Sequence, residues 1–288
     1  TSLSFSHTDF KNPFITNYEK RKENNLSLRS KFVYAASFNE QDIKLVGGAE
    51  WLYGDADIDN YGNKQGVPDT VQAKDQLWVR QWFPFVQLEW QLKKKLLLQI
   101  GASTNSNMYR YKRLTGNDNS KKSKKFDEQF LPRLALLYPL SKNISLFATV
   151  SKGFSPATIA EIRSSDANIN TDLQPEFGWN YESGIRGGSA NSRFQFEGSI
   201  YYFKLQQAIV RRLNNAGAEY FINAGGTDQK GFEARVAYSL INDPAAILSL
   251  IRLWSGLTYN DFSFTNYTVD NTDHSGKTVT GTHPNHVF

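Results

Sequence analysis

The sequence has no cysteine, a single methionine and no long apolar run. Without cysteine there can be no disulfide framework, no thiolate metal site and no thiol chemistry. No apolar stretch approaches roughly 18 residues and the mean hydropathy is -0.51, so a membrane-spanning helix is excluded. A membrane β-barrel is not excluded, because its strands alternate apolar and polar residues and their mean hydropathy resembles that of a soluble protein.

Signals of catalysis, nucleic-acid binding and targeting are also missing. There is no nucleophile elbow, phosphate loop, dinucleotide fingerprint or paired-histidine zinc motif. The net charge of +5 is modest for 288 residues, and the basic stretch 121–125 has no interleaved aromatic residues. No signal peptide opens the chain, which predicts that it is processed or cut from something longer. We therefore expect no enzyme, no catalytic residue, no cofactor and no nucleic-acid partner.

What the sequence does contain is alternation of apolar and polar residues with a period of two. In one segment Val86, Leu88 and Trp90 fall on one face, and the residues between them are polar. The same alternation recurs at 179–186, 194–202 and 232–238, and in each segment the charges fall on one face only. A soluble sandwich also alternates in this way, so alternation predicts strands without choosing between a sandwich and a membrane barrel.

The connections favour the barrel. Tight turns are predicted at Asn39-Glu40-Gln41, Lys93-Lys94-Lys95, Leu140 to Asn143, Gly188 to Ser192 and Asn242-Asp243-Pro244. Long polar loops are predicted at Lys11 to Asn25, Gly54 to Asp75, Asn105 to Lys125, Ser155 to Glu176, Lys204 to Thr227 and Asp261 to Lys277. Short and long connections alternate, as in outer-membrane barrels with short periplasmic turns and long extracellular loops. The prediction is an all-β fold, an incomplete antiparallel transmembrane β-barrel of about twelve strands.

Several segments resemble a known family. They are Ser151 to Pro156, Asp172 to Glu176, Tyr181 to Gly184, Tyr220 with Asn223 to Gly225, Lys230 to Glu233, and Pro284 to His286. Their order and spacing are similar to those of TonB-dependent outer-membrane receptors, and the most similar receptors are of the ferric-siderophore class. The resemblance is closest from about Phe130 to Phe288.

The resemblance implies a barrel of about 22 strands in the bacterial outer membrane, with an N-terminal plug that opens when the TonB complex acts on it. Residues 1–288 would be part of that barrel domain, with the plug and the final strands absent. The implied function is import of a ferric siderophore or a similar iron complex. An importer of a glycan or cobalamin, a passive porin and a secreted carbohydrate-binding β-protein are the alternatives.

The family resemblance also gives roles to single residues. Five charged residues, Glu182, Arg186, Glu197, Glu233 and Arg235, are predicted to face the lumen and to pair with one another or with the plug. Gly153 and Gly184 are predicted to leave room for a close backbone approach or to mark a bend.

A ligand site is predicted on the extracellular side. Four residues, Tyr109, Arg110, Tyr111 and Arg163, are candidates for ligand contact, because aromatic rings and guanidinium groups suit a flat anionic chelate. The basic stretch 109–125 could draw in that chelate, could bind lipopolysaccharide phosphates among the outer-membrane lipids, or could be a solvated loop.

No metal site is predicted. The stretch Asp55 to Asp59 suggests a calcium loop, but Asn60 and Gly66 stand where such a loop needs glycine and glutamate. His283 and His286 point to opposite faces of a predicted strand and cannot easily chelate one metal.

Overall fold

A computed structural model describes residues 1–15, 17–92, 95–117, 119–165, 168–242, 247–269 and 271–279, together with the backbone of residues 286 and 287. Within these ranges the chain is almost entirely β-structure, and its one helix is four residues long. No helix in the described part of the chain is long and apolar enough to cross a membrane.

The strands and the helix follow one another along the chain with the bounds given next. They are β1 Ser2–Pro13, β2 Tyr18–Phe38, β3 Gln41–Lys64, β4 Val67–Leu92, β5 Leu96–Thr104, β6 Ser106–Arg113, β7 Lys122–Lys125, β8 Phe130–Pro139, β9 Ile144–Ser155, α1 Ile159–Ile162, β10 Glu176–Gly188, β11 Phe194–Gln206, β12 Ile209–Leu213, β13 Glu219–Asn223, β14 Gly226–Asn242, β15 Leu250–Thr265, β16 Thr268–Val269, β17 Thr272–Asp273 and β18 His286–Val287.

The main sheet is antiparallel and follows chain order. Among the described residues its path runs β1-β2-β3-β4-β5-β8-β9-β10-β11-β14-β15-β18, which is twelve strands and confirms the predicted number. Between these described strands there is no pairing that closes the path into a ring. Strand β6 begins just after Asn105 and pairs with the part of β4 that extends beyond β5. Strand β7 pairs with β6. Two small hairpins, β12-β13 and β16-β17, stand apart from this sheet.

One end of the sheet, called the turn end below, carries short connections. Asn39 and Glu40 join β2 to β3 with φ values of 47° and 61°, as a type I′ hairpin turn requires. The turns predicted at 140–143 and 188–192 are confirmed as the short links between β8 and β9 and between β10 and β11. The turns predicted at 93–95 and 242–244 fall mostly outside the described residues.

The opposite end, called the loop end, is more ordered than the sequence predicted. The loops predicted at 11–25 and 54–75 are wrong, because β1, β2, β3 and β4 run through nearly all of both segments. A two-residue turn at Gln65 and Gly66, with φ values of 52° and 85°, joins β3 to β4. The stretch at 105–125 likewise contains β6 and β7. These segments are rich in polar residues, but the charged and polar side chains alternate with residues on the other face, so the strands continue through them.

The acidic stretch Asp55 to Asp59 lies within β3. The apolar residues Ala56 and Ile58 point to one face and are 2% and 0% exposed, while the aspartates that alternate with them point to the other. A run that is half acidic can therefore be a buried strand, provided that its polar residues all share one face.

The two faces of the sheet differ in character. The outer face is apolar and open: Ile200, Phe232 and Tyr259 form one row across three strands and are 63%, 38% and 51% exposed. The inner face carries the predicted charged residues from its middle to the turn end, and it becomes buried towards the loop end. So much open apolar surface on one side of a sheet is typical of contact with an apolar surrounding.

Candidate functional site

All five predicted lumen residues lie on the inner face. Register places Arg186 opposite Glu197 and Glu197 opposite Arg235, so the three form one row across β10, β11 and β14. In the neighbouring rows Glu233 faces Ser199, and Glu182 faces Tyr201. Register therefore puts these side chains on one face of the sheet, and both their exposure to the lumen of a complete barrel and their contact with a plug stay predictions.

Register sets Glu197 between two arginines on neighbouring strands, but in the described part of the chain these side chains do not form ion pairs. Among the residues that the structure describes, none of the five has an oppositely charged group within 4.0 Å. Instead Arg186 lies 6.0 Å from the ring of Phe147, and Arg235 lies 5.7 Å from the ring of Trp254. A concave cavity of about 650 Å³ opens beside them at the turn end.

The loop end of the inner face is covered by the connection between β9 and β10. This connection, residues 156–175, is called the cover loop. It contains α1, which a reciprocal capping box between Thr158 and Glu161 begins. Its residues Ala157, Ile162 and Leu173 are 0%, 3% and 1% exposed. The sequence placed a plain polar loop here and missed this packing, although the spaced apolar residues at 157, 159, 162 and 173 were visible in it.

Tyr109 anchors the cover loop to β6. Its hydroxyl donates to the carbonyl of Ala157, and its ring meets that of Phe126 edge-on at 5.4 Å. Burial raises the pKa of the Tyr109 phenol, so the hydroxyl stays protonated and remains a donor. Tyr109 is 2% exposed, so in this conformation it holds the loop and does not line an open site.

The four predicted ligand residues are not brought together. Tyr109 and Tyr111 share the inner face, and Tyr111 packs beside Ala56, Ile58 and Leu77. Arg110 lies between them in sequence and therefore points to the outer face, where it is exposed. Ligand contact by these residues stays a prediction, and for Tyr109 and Arg163 it requires the cover loop to move away.

Arg163 lies at the centre of a buried network of charged side chains. Its side chain is 0% exposed, its Nε donates to Asp75 Oδ2 at 2.8 Å, and its Nη1 lies 3.9 Å from Glu19 Oε2. Asp75 also accepts from Nε of Arg113 at 2.8 Å, and Glu19 accepts from Arg21 Nη2 at 2.7 Å. Two carboxylates from the strands and one guanidinium from the cover loop thus meet out of contact with water.

Burial lowers the pKa of Arg163, and the nearby carboxylates of Asp75 and Glu19 oppose that shift. An arginine keeps its proton in such surroundings, so the charge must be matched by the two acids. Sequence reasoning missed Asp75 and Glu19 because both lay in segments interpreted as loops. Their partner Arg163 is 88 residues from Asp75 along the chain.

Two of the family-like segments contact each other directly. The amide of Gln174 donates to Asn223 Oδ1 at 2.6 Å, and Asn223 Nδ2 donates to the carbonyls of Gln174 and Gln207 at 2.8 and 2.7 Å. Glu176 accepts from the amide of Ile209 at 2.6 Å. These bonds, called the clasp below, tie the cover loop to the hairpin β12-β13.

Gly225, which follows the clasp, has no room for a side chain. Its φ is 62°, and a Cβ there would lie 2.1 Å from the carbonyl oxygen of Asn266. The segment 223–225 thus contains Asn223, which bonds to Gln174, and Gly225, a backbone position with no space for a Cβ atom. Only the folded chain reveals that this segment and the 172–176 segment act on each other.

The two glycines singled out in the sequence differ from one another. A Cβ on Gly184 would lie 2.4 Å from the carbonyl of Gly198 and 2.5 Å from the ring of Phe147, so the neighbouring phenylalanine fills the space that the glycine leaves. A Cβ on Gly153 would meet nothing closer than 3.9 Å. Close packing explains why position 184 requires glycine, but it does not explain the glycine at position 153.

Two aspartates of the 55–59 stretch form hydrogen bonds to neighbouring strands. Asp55 accepts from Asn24 Nδ2 at 2.9 Å and Asp57 accepts from Gln76 Nε2 at 3.0 Å, both on the outer face of β3. His286 lies in β18 opposite Tyr259, and His283 lies outside the described residues.

Comparison with known proteins agrees with this architecture. All 288 residues match the family model described as TonB dependent receptor-like, beta-barrel. The alcaligin outer-membrane receptor FauA of Bordetella pertussis is 15% identical with a TM-score of 0.64, and the match covers 99% of this chain and 45% of that one. The siderophore receptor PiuA of Acinetobacter baumannii is 14% identical with a TM-score of 0.70, covering 93% and 43%.

The ferripyoverdine receptor of Pseudomonas aeruginosa, solved with ferripyoverdine bound, is 16% identical with a TM-score of 0.68, covering 99% and 39%. The present chain thus spans less than half the length of these solved receptors. With the family shown, the turn end is the periplasmic end and the loop end is the extracellular end of an incomplete barrel in the outer membrane. The chain belongs to the family of TonB-dependent receptor-like β-barrels.

Proposed function

We propose that this chain is part of an outer-membrane receptor that imports a ferric siderophore or a similar iron complex with energy delivered through TonB. The plug and the remaining strands would lie in other parts of the same protein. The family consists of receptors and transporters rather than enzymes, so the proposed activity is capture and passage of a ligand without chemical conversion.

The observation that carries the proposal is the inner face at the periplasmic end. Arg186, Glu197 and Arg235 line a cavity of about 650 Å³ and have no ion-pair partner among the described residues. Charges left unpaired inside a barrel are suited to a further element that docks there. A plug with complementary charges would satisfy them, and it would make the channel closed at rest and open only when energy is supplied.

The extracellular end supports the same function. The cover loop and the hairpin β12-β13 pack over the inner face, so the entrance is lined by ordered structure. A passive porin keeps its lumen open to water, and a packed cover does not suit free diffusion. Ligand identity is a separate matter, because it depends on the cover loop, on the hairpin and on the plug.

The test is equilibrium binding to the complete receptor in detergent. Ferric siderophores, their iron-free forms and cobalamin are titrated separately while intrinsic tryptophan fluorescence is followed. We expect saturable binding of one ferric chelate and much weaker binding of its iron-free form. Binding of cobalamin or a glycan instead would redirect the proposal within the family.

Transport is tested separately from binding. Cells carrying the receptor as their only route for that chelate are grown under iron limitation, with and without a working TonB. We expect growth only when TonB is present. Growth that continues without TonB, together with steady ion conductance through the purified receptor in a planar bilayer, would support a passive porin.

A further inference from the structure

Four buried polar atoms, at the place where the cover loop meets the first strands, have no hydrogen-bond partner among the residues that the structure describes. They are Asn17 Oδ1, the side-chain oxygen and nitrogen of Asn60, and Nη2 of Arg163. The three residues are 3%, 0% and 0% exposed, so bulk water does not reach them. Folded proteins rarely leave such atoms unpaired, because each has lost its bonds to water and gained none in return.

The four atoms belong to one small region of the fold. Asn60 of β3 lies directly opposite Glu19 of β2 in the register of the sheet, and Arg163 Nη1 lies 3.9 Å from Glu19 Oε2. Asn17 donates from Nδ2 to the carbonyl of Ser165, which is two residues beyond Arg163. All four atoms therefore lie around Glu19 and the adjacent part of the cover loop.

The neighbour of Asn60 on β4 is small. It is Ala73, whose side chain is a single methyl group and which is 2% exposed. The register of β3 and β4 also shifts immediately after this pair, which disrupts the ladder locally. Both features favour a small gap in the packing beside the Asn60 amide.

Arg163 Nη2 needs a partner although a carboxylate is close to it. It lies 2.8 Å from Asp75 Oδ2, but that oxygen already accepts from Nε of the same guanidinium, and Nη2 forms no hydrogen bond with it. Nη1, in contrast, donates to the carbonyl of Ser164 at 3.1 Å. One nitrogen of the buried guanidinium is therefore left without an acceptor in the described part of the chain.

Six charged groups in and next to this region balance one another. They are the guanidinium groups of Arg21, Arg113 and Arg163 and the carboxylates of Glu19, Glu23 and Asp75, which are joined by ion pairs of 2.7 to 3.9 Å. Three positive and three negative charges leave no net charge for a bound ion to neutralise. The expected ligand is therefore neutral.

The unpaired atoms are evenly divided between donors and acceptors. Asn60 Nδ2 and Arg163 Nη2 donate, whereas Asn17 Oδ1 and Asn60 Oδ1 accept. A cation would have two N–H groups beside it, and an anion would have two carbonyl oxygens beside it. A water molecule both donates and accepts, and a buried water typically makes about three hydrogen bonds. Water is therefore the neutral ligand that matches this set of atoms.

We propose that the cover loop traps a pair of internal water molecules between Arg163 and the two asparagines. A pair is needed because the oxygen and the nitrogen of the Asn60 amide point in different directions. One water would accept from Asn60 Nδ2 and the other would donate to Asn60 Oδ1, and Asn17 Oδ1 and Arg163 Nη2 would complete their bonds. The cover loop would then dock on bound water at Arg163 and on apolar side chains elsewhere. The site depends on this docking and not on which nutrient is imported.

The first experiment is a crystal structure of the complete receptor, at a resolution that shows ordered water, from crystals grown with rubidium bromide. Both ions scatter anomalously, so an ion in the site is distinguished from water. We expect water within hydrogen-bonding distance of both ends of the Asn60 amide and no anomalous peak there. An anomalous peak, a direct bond from Asn60 to another residue of the receptor, or a dry site under a docked cover loop would overturn the proposal.

The second experiment is hydrogen exchange of the amides at 156–175 in the complete receptor. Asn60→Leu has a similar shape and cannot bond to water, so exchange should become roughly 10-fold faster. Asn60→Ser, whose hydroxyl both donates and accepts, should restore most of the protection. The control is Asn180→Leu on the inner face of β10, where the residue is only partly buried, and it should leave exchange unchanged.

Exchange in Asn60→Leu that is as slow as in wild type would contradict the proposal, and so would a failure of Asn60→Ser to restore protection. If Asn60→Leu does not fold, the crystal structure of the wild-type receptor decides. Neither experiment measures binding of a ferric chelate, so a failure of the proposed function would leave both outcomes unaffected.

Discussion

Arg163 places a full positive charge where water does not reach. Two acids from β2 and β4 surround it, and each of these acids has a second arginine of its own, Arg21 for Glu19 and Arg113 for Asp75. A buried network of this kind adds little stability compared with apolar packing, but it is costly to break on one side. It therefore decides where the cover loop docks more than how tightly it docks.

Removing the guanidinium tests this role. Arg163→Met should weaken docking of the cover loop by about 3 kcal/mol. This value is at the lower end of the cost of breaking a buried ion pair, because Arg21 and Arg113 still pair with the two acids. Hydrogen exchange of the amides at 156–175 should become faster. The matched control is Arg211→Met. Arg211 and Glu219 form an ion pair in which the two side chains are 62% and 34% exposed, so this pair should contribute under about 1 kcal/mol. Equal protection of the cover loop in both variants would contradict the assigned role.

Glu176 gives the extracellular assembly a dependence on pH. Burial raises the pKa of Glu176 above its ordinary value of 4.5, although the bond from the Ile209 amide opposes the shift. The folded state then binds the proton more tightly than the unfolded state. Its contribution to stability is fully present below pH 4.5 and is lost as the pH rises through the raised pKa.

Glu176→Gln keeps the acceptor and removes the charge. Attachment of the β12-β13 hairpin should then be independent of pH and, at neutral pH, at least as strong as in wild type. Glu176→Ala loses the acceptor and should weaken the attachment by about 1 kcal/mol at every pH. The measurement is hydrogen exchange at 209–213, normalised to the intrinsic rate at each pH. A pH dependence that persists in Glu176→Gln would assign it to another group.

At the scale of elements, strands and turns followed from the sequence more reliably than their lengths. Period-two alternation predicted strands at 85–92, 179–186, 194–202 and 232–238, and β4, β10, β11 and β14 are there. The ends of β3 and β4 were missed because Asp55, Asp57 and Asp59 made one face of a strand look like a loop. Burial of Ala56 and Ile58 depends on the cover loop above them, and that loop is distant in sequence.

Strand packing distinguishes the two glycines of β9 and β10. Gly184→Ala forces a methyl group against the Gly198 carbonyl and the Phe147 ring, and it should cost about 1–3 kcal/mol. Gly153→Ala meets only ordinary contact distances and should be tolerated. Thermal unfolding of the receptor in detergent measures both, and the prediction fails if the two variants unfold at the same temperature.

For the whole molecule, the division into an apolar outer face and a polar inner face is the main physical fact. The outer row of Ile200, Phe232 and Tyr259 is stable when it faces lipid, and the inner row of Arg186, Glu197 and Arg235 is stable when it faces water or a plug. The same substitution should therefore have opposite outcomes on the two faces.

Lysine substitutions on neighbouring rows of the sheet, one on each face, test that division. Ile200→Lys puts a charge on the apolar outer face, where Ile200 is 63% exposed, and should cost about 2 kcal/mol. Thr149→Lys, one row away on the inner face and opposite Glu182, should be close to neutral. The fraction of each variant that remains folded during gel electrophoresis of unheated samples measures the stability of both. Comparable losses from the two variants would mean that the faces have been assigned wrongly.

The sequence by itself determined the all-β fold, the approximate strand number, the common face of the charges within each of the alternating segments 179–186, 194–202 and 232–238, and the family resemblance. These depend on local alternation and on short motifs, which are properties of neighbouring residues. Tertiary structure alone decided the contacts that close the extracellular end. Arg163 finds Asp75, Tyr109 finds Ala157 and Asn223 finds Gln174 across separations of 88, 48 and 49 residues. No local pattern encodes such pairs, because burial and charge compensation exist only once the strands and the cover loop have come together.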